Sequence, residues 1–129
     1  LQRLFEPMLF DRQAQHHKNA PKTAWAPFFS RKNGRLRCRA NTSLVRKGYQ
    51  VADTQMDQML IEALDAVERV TTCPDLWVEA PLVRGQIQYL NNHELGHYRS
   101  RFEDSTDPVK RRHLYRLWHR QNGSINYDG

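Results

Sequence analysis

Residues 84–118 read RGQIQYLNNHELGHYRSRFEDSTDPVKRRHLYRLW, and the way this stretch is read decides the fold of the chain. Gln86-Ile87-Gln88-Tyr89-Leu90 alternates polar and apolar side chains, the period of a strand with one covered face. Asn91-Asn92 follows as a turn, because asparagine tolerates the backbone angles a turn demands. Tyr98-Arg99-Ser100-Arg101-Phe102 alternates again, so a second strand is expected to carry His97. After a polar loop, residues 111–120 alternate once more as a last strand.

The same stretch contains His93-Glu94-Leu95-Gly96-His97, a literal HExxH. In zinc peptidases that pattern places two histidines one helical turn apart on the metal, with the glutamate activating water. Such geometry requires a helix, and Asn91, Asn92 and Gly96 are weak helix formers flanked by alternating runs. A third histidine is also missing at the extended spacing, whose glycine and histidine positions hold Ser100 and Glu103. An HExxH zinc metallopeptidase is therefore kept as the alternative.

Read as strands, the stretch resembles the carboxy-terminal signature of the TauD/TfdA family of Fe(II)- and 2-oxoglutarate-dependent oxygenases. Gly85, Gln86, Ile87, Tyr89, Asn91, Asn92, His97, Arg99, Phe102, Asp104, Arg111, Arg112, Leu114, Arg116 and Trp118 follow that signature in order. Echoes run back to Phe10-Asp11-Arg12, so the resemblance covers nearly the whole chain. It implies a dioxygenase that couples oxidation of 2-oxoglutarate to hydroxylation, or a related oxidation, of a small organic substrate. Non-haem iron of this kind is held by two histidines and one carboxylate. By resemblance His97 is the distal histidine of that set, and Asn92 shapes the turn that aims it. Arg112 matches the arginine that anchors 2-oxoglutarate, and Arg116 matches a second arginine facing the acidic end of substrate or cosubstrate. Arginine suits this task because its planar fork meets a carboxylate with two parallel hydrogen bonds. In a strand Arg112, Leu114, Arg116 and Trp118 share one face.

The family's other iron ligands come from an HxD or HxE pair. No histidine of this chain is followed two residues on by Asp or Glu. The resemblance therefore implies that residues 1–129 are the carboxy-terminal portion of one oxygenase domain, partnered by an amino-terminal half of the same protein. The implied fold is mainly β within an α/β class. It is part of a double-stranded β-helix (a jelly roll), with one packed amphipathic helix at about 53–70.

Outward from the signature, that helix is the clearest element. Met56, Met59, Leu60, Ala63, Leu64, Val67 and Val70 recur at helical spacing, and Thr54 with Asp57 forms a capping box. Further back, Asn33-Gly34 between two strand-like runs is a strong hairpin signal. Alternation turns Leu36, Cys38 and Ala40 inward and Arg35, Arg37 and Arg39 outward, as a solvated face. Residues 23–31, with Trp25, Phe28, Phe29 and Pro27, suit an edge strand or bulge. Residues 9–12 form a short strand, residues 1–8 end a helix near Pro7, and residues 13–22 are a surface loop with His16-His17 in solvent. Leu76-Trp77-Val78 and Leu82-Val83 are expected as strands leading into the signature, and residues 122–129 as a tail.

At 129 residues the chain suits one compact domain. Its apolar fraction of 39% and mean hydropathy of −0.83 are lean. No run reaches the ~20 apolar residues of a membrane span, so no membrane partner is expected. Two cysteines without metal-ligand spacing suit a reducing compartment, which points to the cytoplasm. The net charge of +6 raises a basic nucleic-acid-binding module as a further alternative, with basic residues concentrated in 31–39 and 110–112. No nucleic-acid motif accompanies them, so nucleic acid is not an expected partner. Leu1 opens the chain in place of Met, and the expectation is that a longer protein precedes it.

Overall fold

The computed structural model describes residues 1–12, 19–98, 101–117 and 119. They form two compact units, 1–96 and 97–129. The first is a small mixed α/β domain with two two-stranded antiparallel sheets and two helices.

A short 3-10 turn, Gln2–Phe5, leads into β1 (Pro7–Asp11), which pairs with β2 (Thr23–Pro27). The register runs from Pro7 opposite Pro27 to Asp11 opposite Thr23. The two prolines thus sit together at the end of the ladder, where a missing N–H costs least. Met8, Leu9, Phe10 and Asp11 are all buried, so β1 is covered on both faces and reads as a continuous apolar run. Phe28, 1% exposed, separates β2 from β3 and meets Phe29 edge-on at 5.1 Å.

The expected hairpin is present. β3 (Phe29–Lys32) and β4 (Arg35–Cys38) flank Asn33 and Gly34, whose φ values are 52° and 78°. Both central residues are left-handed, the geometry of the tight hairpin turn that Asn-Gly favours. The inward face is a different matter. Cys38 is half-buried, but Leu36 is 47% exposed and Ala40 is exposed as well. Alternation sets which face a side chain takes, while covering that face needs another layer, and none packs over Leu36.

Helix α1 (Thr42–Val51) has no counterpart among the sequence expectations. Asn41 caps it, its side-chain oxygen accepting from the Leu44 N–H at 3.0 Å. The β-branched residues and Gly48 within it depress helix propensity, and packing overrides that preference. Val45, Gly48 and Tyr49 are buried on its inner face. Gly48 is required by that packing, because a Cβ there would lie 2.7 Å from the Leu9 carbonyl oxygen and 2.9 Å from the Asp11 nitrogen. The helix rests directly on the β1 backbone. Gly48→Ala is therefore expected to destabilise the protein by ~1–3 kcal/mol through overpacking. That outcome would outweigh the ~1 kcal/mol helix-propensity gain of alanine. Urea unfolding reads the sign directly, and a stabilised variant would mean that α1 can back away from β1.

Helix α2 (Gln58–Thr71) is the expected amphipathic helix, starting five residues later than predicted. Thr54 does not cap it, its hydroxyl donating instead to the Ala52 carbonyl at 3.2 Å. Asp53 adopts a left-handed φ of 51°, which ends the preceding turn, and Asp57 is the cap. The Asp57 carboxylate accepts from the Leu60 N–H at 2.7 Å and from Arg3 at 2.9 Å. Those hydrogen bonds, Arg3 first, hold the Asp57 carboxyl below its ordinary range. Leu60 and Leu64 are fully buried, whereas Met59 and Val70 are exposed, so the covered stripe is narrower than its apolar pattern. Arg46 ties α1 to α2 through Asp65 at 2.6 Å and Glu68 at 3.3 Å.

Beyond α2 the expected β architecture is absent among the described residues. Pro74–Leu76 is a 3-10 turn, with the Trp77 indole donating to the Thr71 carbonyl at 2.8 Å. The strands expected at 76–78, 82–83 and 85–90 do not form, and Ile87 and Tyr89 are largely exposed. A strand needs a neighbour to complete its backbone hydrogen bonds, and alternation alone does not supply one. In the second unit the described residues hold a single 3-10 turn, Pro108–Lys110, capped by Asp107. Neither the strand expected to carry His97 nor the last strand over 111–120 is present among them. The expectations for His16-His17, Arg99, Trp118, Arg120 and the tail lie outside the described residues. The described residues are mixed α/β with two α-helices, where a mainly β chain with one helix is expected from the sequence. No helix among the described residues is long and apolar enough to cross a membrane.

Candidate functional site

The Asn91-Asn92 turn forms as expected, and Asn91 builds it. Its carbonyl accepts from the Glu94 and Leu95 N–H groups, both at 3.1 Å. Its side-chain oxygen accepts from the His93 N–H at 3.2 Å, an Asx turn that holds residues 91–94 in a tight bend. Asn92 lies within the same bend. Residues 92–94 are a turn and 95–98 are irregular, so the helix that zinc binding by HExxH requires is absent.

This bend docks on the β3–β4 hairpin. The Cys38 N–H donates to the His93 carbonyl at 2.7 Å, extending the ladder beyond β4. Arg35 pairs with Glu94 at 3.4 Å. Between hairpin and bend lies a cleft of about 220 Å³, lined by Lys32, Asn33, Arg35, Arg37, Asn91, His93 and Glu94. His93 is half-buried there. Burial, then the charges of Arg37, Arg39 and Lys32, push its pKa below the ordinary histidine range against the opposing pull of Glu94.

In the second unit His97 is exposed, and its backbone is irregular. Arg112 is exposed with its guanidinium stacked over the Phe102 ring, 5.3 Å from the centroid. Such a cation–π contact is a weak attraction at an exposed site. Neighbouring Arg111 turns the other way, its Nε donating to the Ser105 carbonyl at 3.3 Å. Arg116 is exposed.

The fit to the expected cofactors is therefore uneven. No group of three His, Cys, Asp or Glu side chains that could hold a metal exists among the described residues. His97 is one imidazole, and one imidazole is not an Fe(II) site. Arg112, exposed beside the Phe102 ring, is a residue type able to pair with a carboxylate.

Sequence reading missed the cleft. Alternation separates Arg35 and Arg37 from Leu36 and Cys38, as the register shows, but by itself leaves the arginines on a solvated face. What closes that face is a bend more than fifty residues away, and no local pattern encodes that contact. The stacking of Arg112 on Phe102 was missed for the same reason. No family model matches the chain, and no curated protein matches it either.

Proposed function

We propose that this chain is the carboxy-terminal portion of an Fe(II)- and 2-oxoglutarate-dependent dioxygenase of the TauD/TfdA kind. The substrate would be a small organic molecule, oxidised by hydroxylation or a related step. The ordered run from Gly85 to Trp118 carries the proposal, because it places a histidine, two arginines and an Asn-Asn turn in the family's sequence. The stacked Arg112 adds physical support.

In this reading His97 supplies one iron ligand, Arg112 anchors the far carboxylate of 2-oxoglutarate and Arg116 assists at an acidic group. An upstream half of the same domain supplies the remaining histidine and carboxylate. The complete domain would be a jelly roll. In it, residues 85–90 and 111–120 become strands once neighbours exist to pair with them. The exposed side chains Ile87 and Tyr89 agree with that, since in a strand they would share one covered face. Bound iron would supply the oxidising chemistry, and this chain's residues would position it and the cosubstrate.

Succinate release tests the proposal. The 129-residue chain alone is expected to bind Fe(II) weakly and to leave 2-oxoglutarate unconsumed, because one histidine leaves the metal largely hydrated. Adding the amino-terminal half should give turnover that His97→Ala abolishes. Robust succinate from the chain alone would show a different ligand set. Zinc-dependent peptide cleavage with no succinate would hand the site to HExxH.

A further inference from the structure

The hairpin cleft has a charge pattern that the proposed oxygenase chemistry does not use. The register sets Lys32 opposite Arg35 and Ser30 opposite Arg37, so Lys32, Arg35 and Arg37 lie on one face of the hairpin. Like charges directly opposite in an antiparallel pair oppose each other. Of these three cations, Arg35 is the one with an ion-pair partner among the described residues, Glu94 at 3.4 Å. Lys32 and Arg37 line the same cleft with no carboxylate against them. Three cations thus face one anion across a cavity lined also by His93, Asn33 and Asn91.

We propose that this cleft binds a small dianionic oxyanion, a phosphate monoester or a dicarboxylate, through Lys32 and Arg37 with His93 and Asn33 at its sides. Several features favour a small anion over a polymer. At about 220 Å³ the cleft holds one compact group. It lies between the two-residue Asn33-Gly34 turn and the backbone bond from Cys38 to His93, and its cations all come from this one short hairpin. A dianion would neutralise the two cations left without partners, and a charge-assisted pair with arginine is among the stronger polar contacts. Glu94 competes for Arg35 and sets the selectivity. A monoanion gains too little to displace that pair, while a dianion can be held beside it.

The 129-residue chain suffices for the test, because every group named lies within the first compact unit. Inorganic phosphate and succinate are titrated separately at constant ionic strength, following the His93 ring resonances and the amides of 32–38 by NMR. Saturable shifts confined to the cleft are expected for at least one of the two. Phosphate alone assigns a phosphate monoester and succinate alone assigns a dicarboxylate. Arg37→Gln should weaken binding about tenfold, the scale of one hydrogen bond to a charged group. Glu94→Gln should tighten it several-fold by freeing Arg35, an opposite sign that a general loss of folding cannot imitate. Shifts that chloride reproduces overturn the proposal, as does wild-type affinity in Arg37→Gln. Arg112→Ala should leave this binding unchanged, so failure here and failure of the oxygenase proposal are separable.

Discussion

Leu64→Ala is expected to lower the stability of the first unit by ~2–5 kcal/mol, the range for truncating a fully buried leucine. Leu64 and Leu60 are the two α2 side chains with no exposure. Their helix is anchored at its start by Asp57, which Arg3 reaches from the 3-10 turn at the chain's beginning. A cavity at Leu64 therefore loses contacts that no short rearrangement restores. Met59→Ala on the same helix should change stability by less than ~0.5 kcal/mol, since Met59 is 66% exposed. Chemical denaturation of the two variants separates a packed core helix from a peripheral one. Equal effects, large or small, would mean that α2 does not pack by the face that buries Leu60 and Leu64.

The contrast between Leu64 and Met59 also shows what the sequence could convey. Periodicity located α2 and its inner leucines, because a helix must bury one face and the apolar spacing marks that face. It could not say how wide the covered stripe is, since that depends on what arrives from outside the helix. The same division runs through the chain. Asn33-Gly34 predicts its hairpin because both residues accept left-handed angles, a purely local requirement. Helix α1 escaped because its cause is not local. Gly48 weakens the helix in isolation and is needed only where α1 meets the Leu9 carbonyl. The signature strands failed for the converse reason. Their alternation is real, but a strand is completed by its neighbour, and the described residues offer none at 85–90. For the candidate site, residue types were legible and juxtapositions were not. His97, Arg112 and Arg116 are identified by order in the chain, whereas the docking of His93 on β4 and the stacking of Arg112 on Phe102 exist only in three dimensions.

Arg112→Ala is expected to raise the 2-oxoglutarate concentration for half-maximal succinate release by roughly ten- to a hundredfold. That corresponds to ~1.5–3 kcal/mol for a hydrogen bond to a charged group, measured on the chain supplied with its amino-terminal half. The direction follows from geometry. The guanidinium lies over the Phe102 ring, and a contact that narrows its range of orientations lowers the cost of meeting a carboxylate with two N–H groups. Arg112→Lys should recover only part of the loss, because an ammonium is a point charge that cannot bind two oxygens in parallel. Phe102→Leu should produce a smaller rise in the same quantity, since it keeps the charge and removes the surface that orients it. Arg116→Ala serves as the control for position: a residue facing substrate shifts the substrate dependence and leaves the 2-oxoglutarate dependence nearly unchanged. An unaltered 2-oxoglutarate requirement in Arg112→Ala, with a raised one in Arg116→Ala, would move the anchoring role four residues along the chain. Unaltered requirements in both would remove the carboxylate-binding role from this segment. Because Phe102 and Arg112 contact each other, their double variant should lose less than the sum of the two single variants. That non-additivity separates an oriented carboxylate clamp from two residues that matter independently.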